Sequence, residues 1–509
     1  MSHAARLVKE QAVQIMAVGV SFLDRILLTA VLVRAWDVSA FEQWSAALAL
    51  AGLMSLFEFG FNLYFNNRLT IETERGEQRQ ADRTIAIANF IFALCGAAGV
   101  ACVSVLLAAQ NRNSAIAGAV LLLAIAAGLR ISLSGVYGLY RANRQFARLT
   151  LIMTSGEALR ILATAAVVFG GGQLLPAAAA TLAAVALAQY GFVLRDATAR
   201  FAPHRYGFAL PTWLECRYML AISTGYFAQN VPVTLLTHLP ALVLLELQAG
   251  PGVVSVFVLL RTLTGLPRSI LQSLGVVPGQ ECGRLIAVGD TAGAFAVLAH
   301  GSRAFGAMSG LCSGFLLSAG VAVGTVWTGK AGLVQFPYLA AGLAPMLLIS
   351  ASVLALNILA STNTPFLFAA GRWVQLAATV VIAIAAPVDD LALRVLLALS
   401  LGEIAGFAPL VYLGLARLIP QARLRFHAMA LGQSLAAAVW GLAATSGLLR
   451  LLQPETTPAL VSTLGLCLAA CAPGFVLLGL SRPMRAALLA HAAGIARAQR
   501  QRLFPRSAN

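Results

Sequence analysis

Apolar residues run through this chain in long blocks and do not alternate with polar ones. No Asp, Glu, Lys or Arg lies between Arg83 and Arg112, between Arg217 and Glu246, between Arg303 and Lys330, or between Arg425 and Arg450. Each gap exceeds the roughly 20 apolar residues that cross a bilayer core as a helix. In lipid the backbone must bond to itself, so a spanning segment is a helix or part of a closed barrel. Barrel strands alternate polar and apolar positions over about 10 residues, and these blocks do not. The pattern predicts an all-α, polytopic membrane protein with about 14 spans. Numbered in chain order, they fall at about 11–35, 41–65, 84–109, 114–140, 149–170, 176–194, 218–245, 252–276, 304–328, 337–359, 366–386, 391–415, 428–450 and 459–480. Turn residues divide two closely spaced pairs, at Gly170-Gly171-Gly172 with Pro176 and at Pro387-Val388-Asp389-Asp390.

Composition agrees with this pattern. The chain is 59% hydrophobic and 11% charged, against about a quarter charged in soluble domains. A net charge of +16 raises nucleic acid as a partner. We reject it, because the basic residues are scattered between spans with no soluble domain to carry a groove-reading element. Their placement acts instead on topology. With the N-terminus in the cytoplasm, about 25 of the 35 Lys and Arg fall in cytoplasmic segments. About five (Arg34, Arg112, Lys330, Arg394, Arg450) fall on the other side, as the positive-inside rule requires. A missing span would reverse every later loop, so both termini are expected in the cytoplasm. The longest loops, near 66–83, 195–217 and 277–302, are cytoplasmic and too short to fold alone. The first span follows Arg6 and Lys9 without a small-residue cleavage site, and is expected to be retained. The basic tail 483–504 suits either an amphipathic helix on the anionic inner leaflet or a frayed topology signal.

Enzyme chemistry finds little support. Gly324-Thr325-Val326-Trp327-Thr328-Gly329-Lys330 matches a phosphate-loop spacing, but Ala331 stands where a magnesium-binding hydroxyl belongs. It also ends an apolar span instead of joining strand to helix. Cys467 and Cys471 lie four apart among apolar residues, which suits packing better than chemistry. No cofactor and no metal site is expected. The informative residues are charges inside spans, where ionised groups face a cavity or a partner. These are Asp24 and Arg25 in span 1, Glu58 in span 2, Arg130 in span 4, Glu157 and Arg160 in span 5, Arg261 and Arg268 in span 8, and Glu403 in span 12. Asp24 and Arg25 are adjacent and point apart, so neither simply neutralises the other. Glu157 and Arg160 suit a pair on one helical face, Arg268 a snorkelling cation, and Arg261 a cavity wall. Asn62, Gln229, Asn230, Gln189 and His238 add polar groups, and Pro232, Pro240 and Pro267 mark bends.

Three local patterns resemble a known family. Val33-Arg34 to Gln43-Trp44 resembles the short first external turn of polysaccharide flippases, with Trp36-Asp37 where Leu-Gly is usual. Phe57-Glu58-Phe59-Gly60-Phe61-Asn62 resembles their acidic-x-Gly element in the second span. Gly138 to Phe146, with Arg141, Asn143 and Arg144, resembles their exit from the fourth. That family handles O-antigen-type lipid-linked oligosaccharides and shares a superfamily with multidrug and toxic-compound extrusion proteins. The pattern covers about the first 160 residues, and span layout carries the rest. The resemblance implies a V-shaped fold with six-helix lobes at 1–210 and 211–427, two further spans within 428–482, and a basic cytoplasmic tail at 483–509. It also implies a non-enzymatic flippase of the bacterial inner membrane. The expected partners are undecaprenyl-diphosphate-linked oligosaccharide, membrane lipids and the polysaccharide polymerase machinery, for making cell-surface polymers such as lipopolysaccharide or exopolysaccharide. Arg25, Arg261 and Arg130 are the expected phosphate ligands in a cationic cavity. Asp24, Glu58 and Glu403 are candidates for ion coupling, and Asn62, Gln229 and Asn230 for polar cavity lining. The alternatives are a multidrug or cation antiporter of the same superfamily, which calls for an acidic or aromatic cavity, and a polytopic polysaccharide polymerase or ligase.

Overall fold

A computed structural model of the chain describes residues 13, 16–110, 114–201, 207–247, 250, 252–349, 353–361, 365–454, 456–482 and 484–486. Most of the basic tail lies outside the described residues, so neither expectation for it is addressed. The described residues form helices and turns with no strand among them. Among the described residues, twelve helices are long and apolar enough to cross a membrane. Spans 10 and 11 fall on helices outside those twelve, Phe336–Ile349 followed by Val353–Ser361, and Pro365–Ala385. The all-α, polytopic fold expected from the hydrophobic blocks is therefore observed.

Two stretches expected as loops are largely helical. Residues 66–83 are taken up by Phe61–Glu74 and the start of Gln78–Gln110, and 277–302 by Val276–Ala287 and the start of Thr291–Thr328. Ion pairs one turn apart support these polar helices: Arg68 with Glu72 at 2.8 Å and Glu281 with Arg284 at 2.6 Å. Thr291–Thr328 has 38 residues and runs about 57 Å at 1.5 Å per residue, well beyond a bilayer core. The helix starts carry ordinary caps. Asp37 accepts from the amide of Ala40, Asp390 from Leu393, and Thr212 and Glu215 form a capping box.

Span 2 was expected as one helix over 41–65 and is broken. Val38–Leu53 passes into a tighter turn, Met54–Glu58. Phe59 and Gly60 then take left-handed φ of 51° and 72° before Phe61–Glu74 begins. A Cβ on Gly60 would sit 2.7 Å from the carbonyl oxygen of Ser223, so glycine here permits both the backbone turn and the approach of span 7. Phe59 stacks on Phe227 with centroids 4.0 Å apart. Elsewhere the helices widen into π-helical turns at Asp24–Leu28, Val185–Gly191, Glu403–Phe407 and Phe475–Gly479. Such turns are rare and occur preferentially at functional sites. Three of these four carry Asp24 and Arg25, Gln189, and Glu403.

The chain divides into two compact units. Unit 1 comprises Met1–Leu266, Trp327–Val334 and Pro365–Gly402. Its core centres on buried Trp44, Met54, Phe65, Phe92 and Leu259, and Trp36 meets Trp44 edge-on at 5.7 Å. Unit 2 comprises Pro267–Val326, Gln335–Thr364 and Glu403–Asn509. Here span 9 crosses span 13 with the two backbones nearly touching. A Cβ on Gly310 would lie 2.0 Å from the carbonyl of Ser434, and one on Gly314 2.1 Å from that of Ala438. Gly306, Gly310 and Gly314 repeat every fourth residue, the small-residue spacing that lets membrane helices approach closely. Cys471 is buried beside Ala307, Leu311 and Ala437 in the same packing, as a small apolar residue would be.

Candidate functional site

Within unit 1 the spans enclose a cavity of about 530 Å³. Its charged lining consists of Asp24, Arg25, Arg130, Glu157, Arg160 and Arg261. Those residues come from spans 1, 4, 5 and 8, up to 237 positions apart in the chain, and helix packing alone brings them together.

Four of the six charges form a closed network. Arg130 Nη2 donates to Glu157 Oε2 at 2.8 Å, and Arg130 Nε to Gln189 Oε1 at 2.8 Å. Gln189 Nε2 returns a bond to Glu157 Oε2 at 3.1 Å. Arg160 donates through Nε to Glu157 Oε1 at 2.8 Å, and through Nη2 to Asp24 Oδ1. Two carboxylates thus face two guanidinium groups, and the network is neutral. Charge-assisted bonds of this kind are the strong class, and the satisfied geometry is what makes buried charge tolerable. Arg160 pairs with Glu157 on one helical face, as expected. It also supplies the partner that Asp24 could not find in Arg25.

Two arginines remain outside the network. Arg25 has no hydrogen-bond or ion-pair partner among the described residues and faces the cavity from the π-helical turn. Arg261 lies on the cavity wall, with Cζ 5.5 Å from the Phe257 ring centroid. Its Nη1 donates to the carbonyls of Leu236 at 3.2 Å and Thr237 at 2.8 Å. His238 follows in the same helix and also lines the cavity. Its ring occupies the space where a side chain on Gly52 would project, within 2.2 Å of the Cβ position. Four arginines against two carboxylates leave the lining with a net charge of +2 when His238 is neutral.

The other expected residues lie away from this cavity. Glu58 accepts from Ser134 Oγ at 2.8 Å, in the tight turn before the break in span 2. Asn62 lies beyond that break and accepts from Asn66. Gln229 and Asn230 are more than two helical turns from His238 on span 7, and neither lines the cavity. Glu403 is in unit 2, where Arg268 grips both of its oxygens, Nη1 to Oε2 at 2.6 Å. Arg268 is thus an ion-pair partner and not the snorkelling cation its position suggested. The phosphate-loop spacing ends the helix Thr291–Thr328, and Lys330 Nζ donates to the Trp36 carbonyl at 3.0 Å. Sequence reasoning passed over Thr237 and the Leu236 carbonyl as site groups. The signal for Leu236 was Pro240, four residues on, which has no N–H to offer it.

Comparison of folds shows that the chain shares its fold with solved structures that include MOP-superfamily transporters. The lipid II flippase MurJ, in an inward closed conformation, superposes with a TM-score of 0.66 at 10% identity, over 93% of this chain and 98% of that one. A multidrug resistance MATE family transporter in an inward-facing conformation gives 0.58 at 13% identity, over 83% and 100%. A MOP superfamily transporter from Pyrococcus furiosus, described as having a binding pocket of reverse polarity, gives 0.52 at 14% identity, over 81% and 95%. No protein-family model and no curated protein sequence matches the chain.

Proposed function

We propose that this protein is a non-enzymatic flippase that carries undecaprenyl-diphosphate-linked oligosaccharide across the bacterial inner membrane for cell-surface polysaccharide synthesis. The observation that carries the proposal is the +2 excess on the cavity wall. A diphosphate diester bears two negative charges, and Arg25 and Arg261 are the two lining arginines outside the Asp24–Arg160–Glu157–Arg130 network. Guanidinium groups suit phosphate oxygens in both charge and geometry. The paired side chains of the network offer donors and acceptors to sugar hydroxyls, while the polyprenyl tail stays in lipid. Arg130, expected as a phosphate ligand, serves on this view to hold Glu157. Asp24 is likewise held by Arg160, and Glu58 and Glu403 are left as candidates for ion coupling. Transport follows alternating access between lobes 1–210 and 211–427.

A multidrug or cation antiporter is the second reading, drawn from the same fold. It calls for an acidic or aromatic cavity; Phe41, Trp44 and Phe257 line this one, but both lining carboxylates are matched by arginines and the charge excess is basic. The Pyrococcus furiosus transporter, with a pocket of reverse polarity by its description, is consistent with one fold serving substrates of either sign. The test is substrate distribution in cells depleted of the protein. Lipid-linked oligosaccharide is expected to accumulate on the cytoplasmic leaflet. Wild type is expected to rescue, and Arg25→Ala and Arg261→Ala variants that reach the membrane are not. Normal leaflet distribution and normal surface polymer would reject the flippase, and drug efflux by the expressed protein would favour the antiporter.

A further inference from the structure

Span 7 contains two prolines, and each leaves a carbonyl four residues earlier without its helical donor. Pro232 strands Ala228, and Pro240 strands Leu236. Both carbonyls are served from other helices of unit 1. The indole of Trp373 donates to Ala228 at 2.8 Å. The guanidinium of Arg261 donates to Leu236 at 3.2 Å and, with a shorter bond, to Thr237 at 2.8 Å. An orphaned carbonyl in lipid costs several kcal/mol, so each donor holds its bend in place.

The two donors differ in one respect. Trp373 is not part of the cavity lining, whereas Arg261 faces the cavity directly. We propose that the carbonyls at Pro240 and the anion carried by this protein compete for the same Arg261 guanidinium, so that filling the cavity uncaps span 7 and changes its bend. The inference rests on the reading of the cavity as an anion site. An anion is the better acceptor, since a phosphate adds full charge–charge attraction and bidentate geometry that a neutral carbonyl oxygen cannot offer the guanidinium. Arg261 turns toward it, and the Leu236 carbonyl is left to relax by changing the local helix geometry. Occupancy of the site is thereby reported to a helix that lines it. Pro240 acts as a positioning residue: it creates the vacancy that holds Arg261 in reserve.

The test uses the full-length protein in lipid nanodiscs, with farnesyl diphosphate as the anionic probe. Two quantities are read: probe affinity, and hydrogen exchange of backbone amides over 236–244. In the wild type the probe is expected to bind and to change exchange over 236–244 about three-fold or more, the weight of one net hydrogen bond. Pro240→Ala restores the N–H that Leu236 lacks and frees Arg261 from that carbonyl, leaving its bond to Thr237. It is expected to tighten probe binding on the order of five-fold, the weight of one hydrogen bond, and to weaken the exchange response at Leu236. Arg261→Gln is expected to lose binding and to show altered exchange without probe, and it serves as the readout if Pro240→Ala fails to fold. Trp373→Phe is expected to alter exchange near Ala228 while leaving probe affinity unchanged. Binding to the wild type with no response over 236–244 overturns the competition and leaves the anion cavity standing. Failure of the wild type to bind overturns both.

Discussion

At the scale of single residues, the membrane-embedded charges fall into two kinds. Most are matched: Asp24, Glu157, Arg130 and Arg160 among themselves, and Glu403 with Arg268. The Arg268–Glu403 pair has side chains 25% and 7% exposed, so removing one charge strands the other in a poor solvent. Glu403→Gln is expected to destabilise the protein by about 3 kcal/mol, read as a loss of thermal stability in detergent. Replacing both, as Arg268→Met with Glu403→Leu, is expected to recover most of it. Full stability of Glu403→Gln would show that the pair contributes nothing to the fold. The charges themselves were legible in the sequence, because a bilayer tolerates few of them and each stands out. Their pairings were not. Arg160 and Asp24 are 136 positions apart, and no local pattern says which helices will be neighbours.

At the scale of elements, the hydrophobic blocks predicted where helices lie but not how they are interrupted. The break at Phe59-Gly60 and the four π-helical turns depend on what packs against the backbone, as Ser223 does at Gly60. The helices over 66–83 and 277–302 escaped notice because a hydropathy pattern is blind to polar helices held by ion pairs. Sequence also carried a signal in Gly306, Gly310 and Gly314 that went unused until the crossing partner was known. Gly310→Val places a side chain where the span 13 backbone lies 2.0 Å from a Cβ. It is expected to cost about 3 kcal/mol, the upper range for overpacking, and to lower the yield of folded protein. Gly225→Val is the control, since a Cβ there meets nothing within 4 Å. Equal stability of the two variants would mean that the helices do not cross at Gly310.

At the scale of the whole molecule, the balance of basic residues predicts an orientation that the helices alone do not. Fluorescent protein fused to either terminus is expected to be bright and alkaline phosphatase inactive, since the positive-inside balance predicts both ends in the cytoplasm. Opposite results at the two ends would require an odd number of spans. The fold class was the most legible feature, since it follows from composition averaged over hundreds of residues. The cavity was half legible: Arg25, Arg130, Arg261 and Asp24 line it, while Glu58, Glu403, Asn62, Gln229 and Asn230 do not. The closeness of spans 9 and 13 also bears on how the protein is made. Ser318 and its partner Leu442 are 124 residues apart, so at about 5–20 residues per second roughly 6–25 s pass before span 13 is synthesised. For that interval the glycine groove of span 9 has no partner and must be shielded by lipid or by the insertion machinery. A ribosome that stalls near residue 427 leaves the groove permanently open, and quality-control proteases have an unpacked helix to recognise.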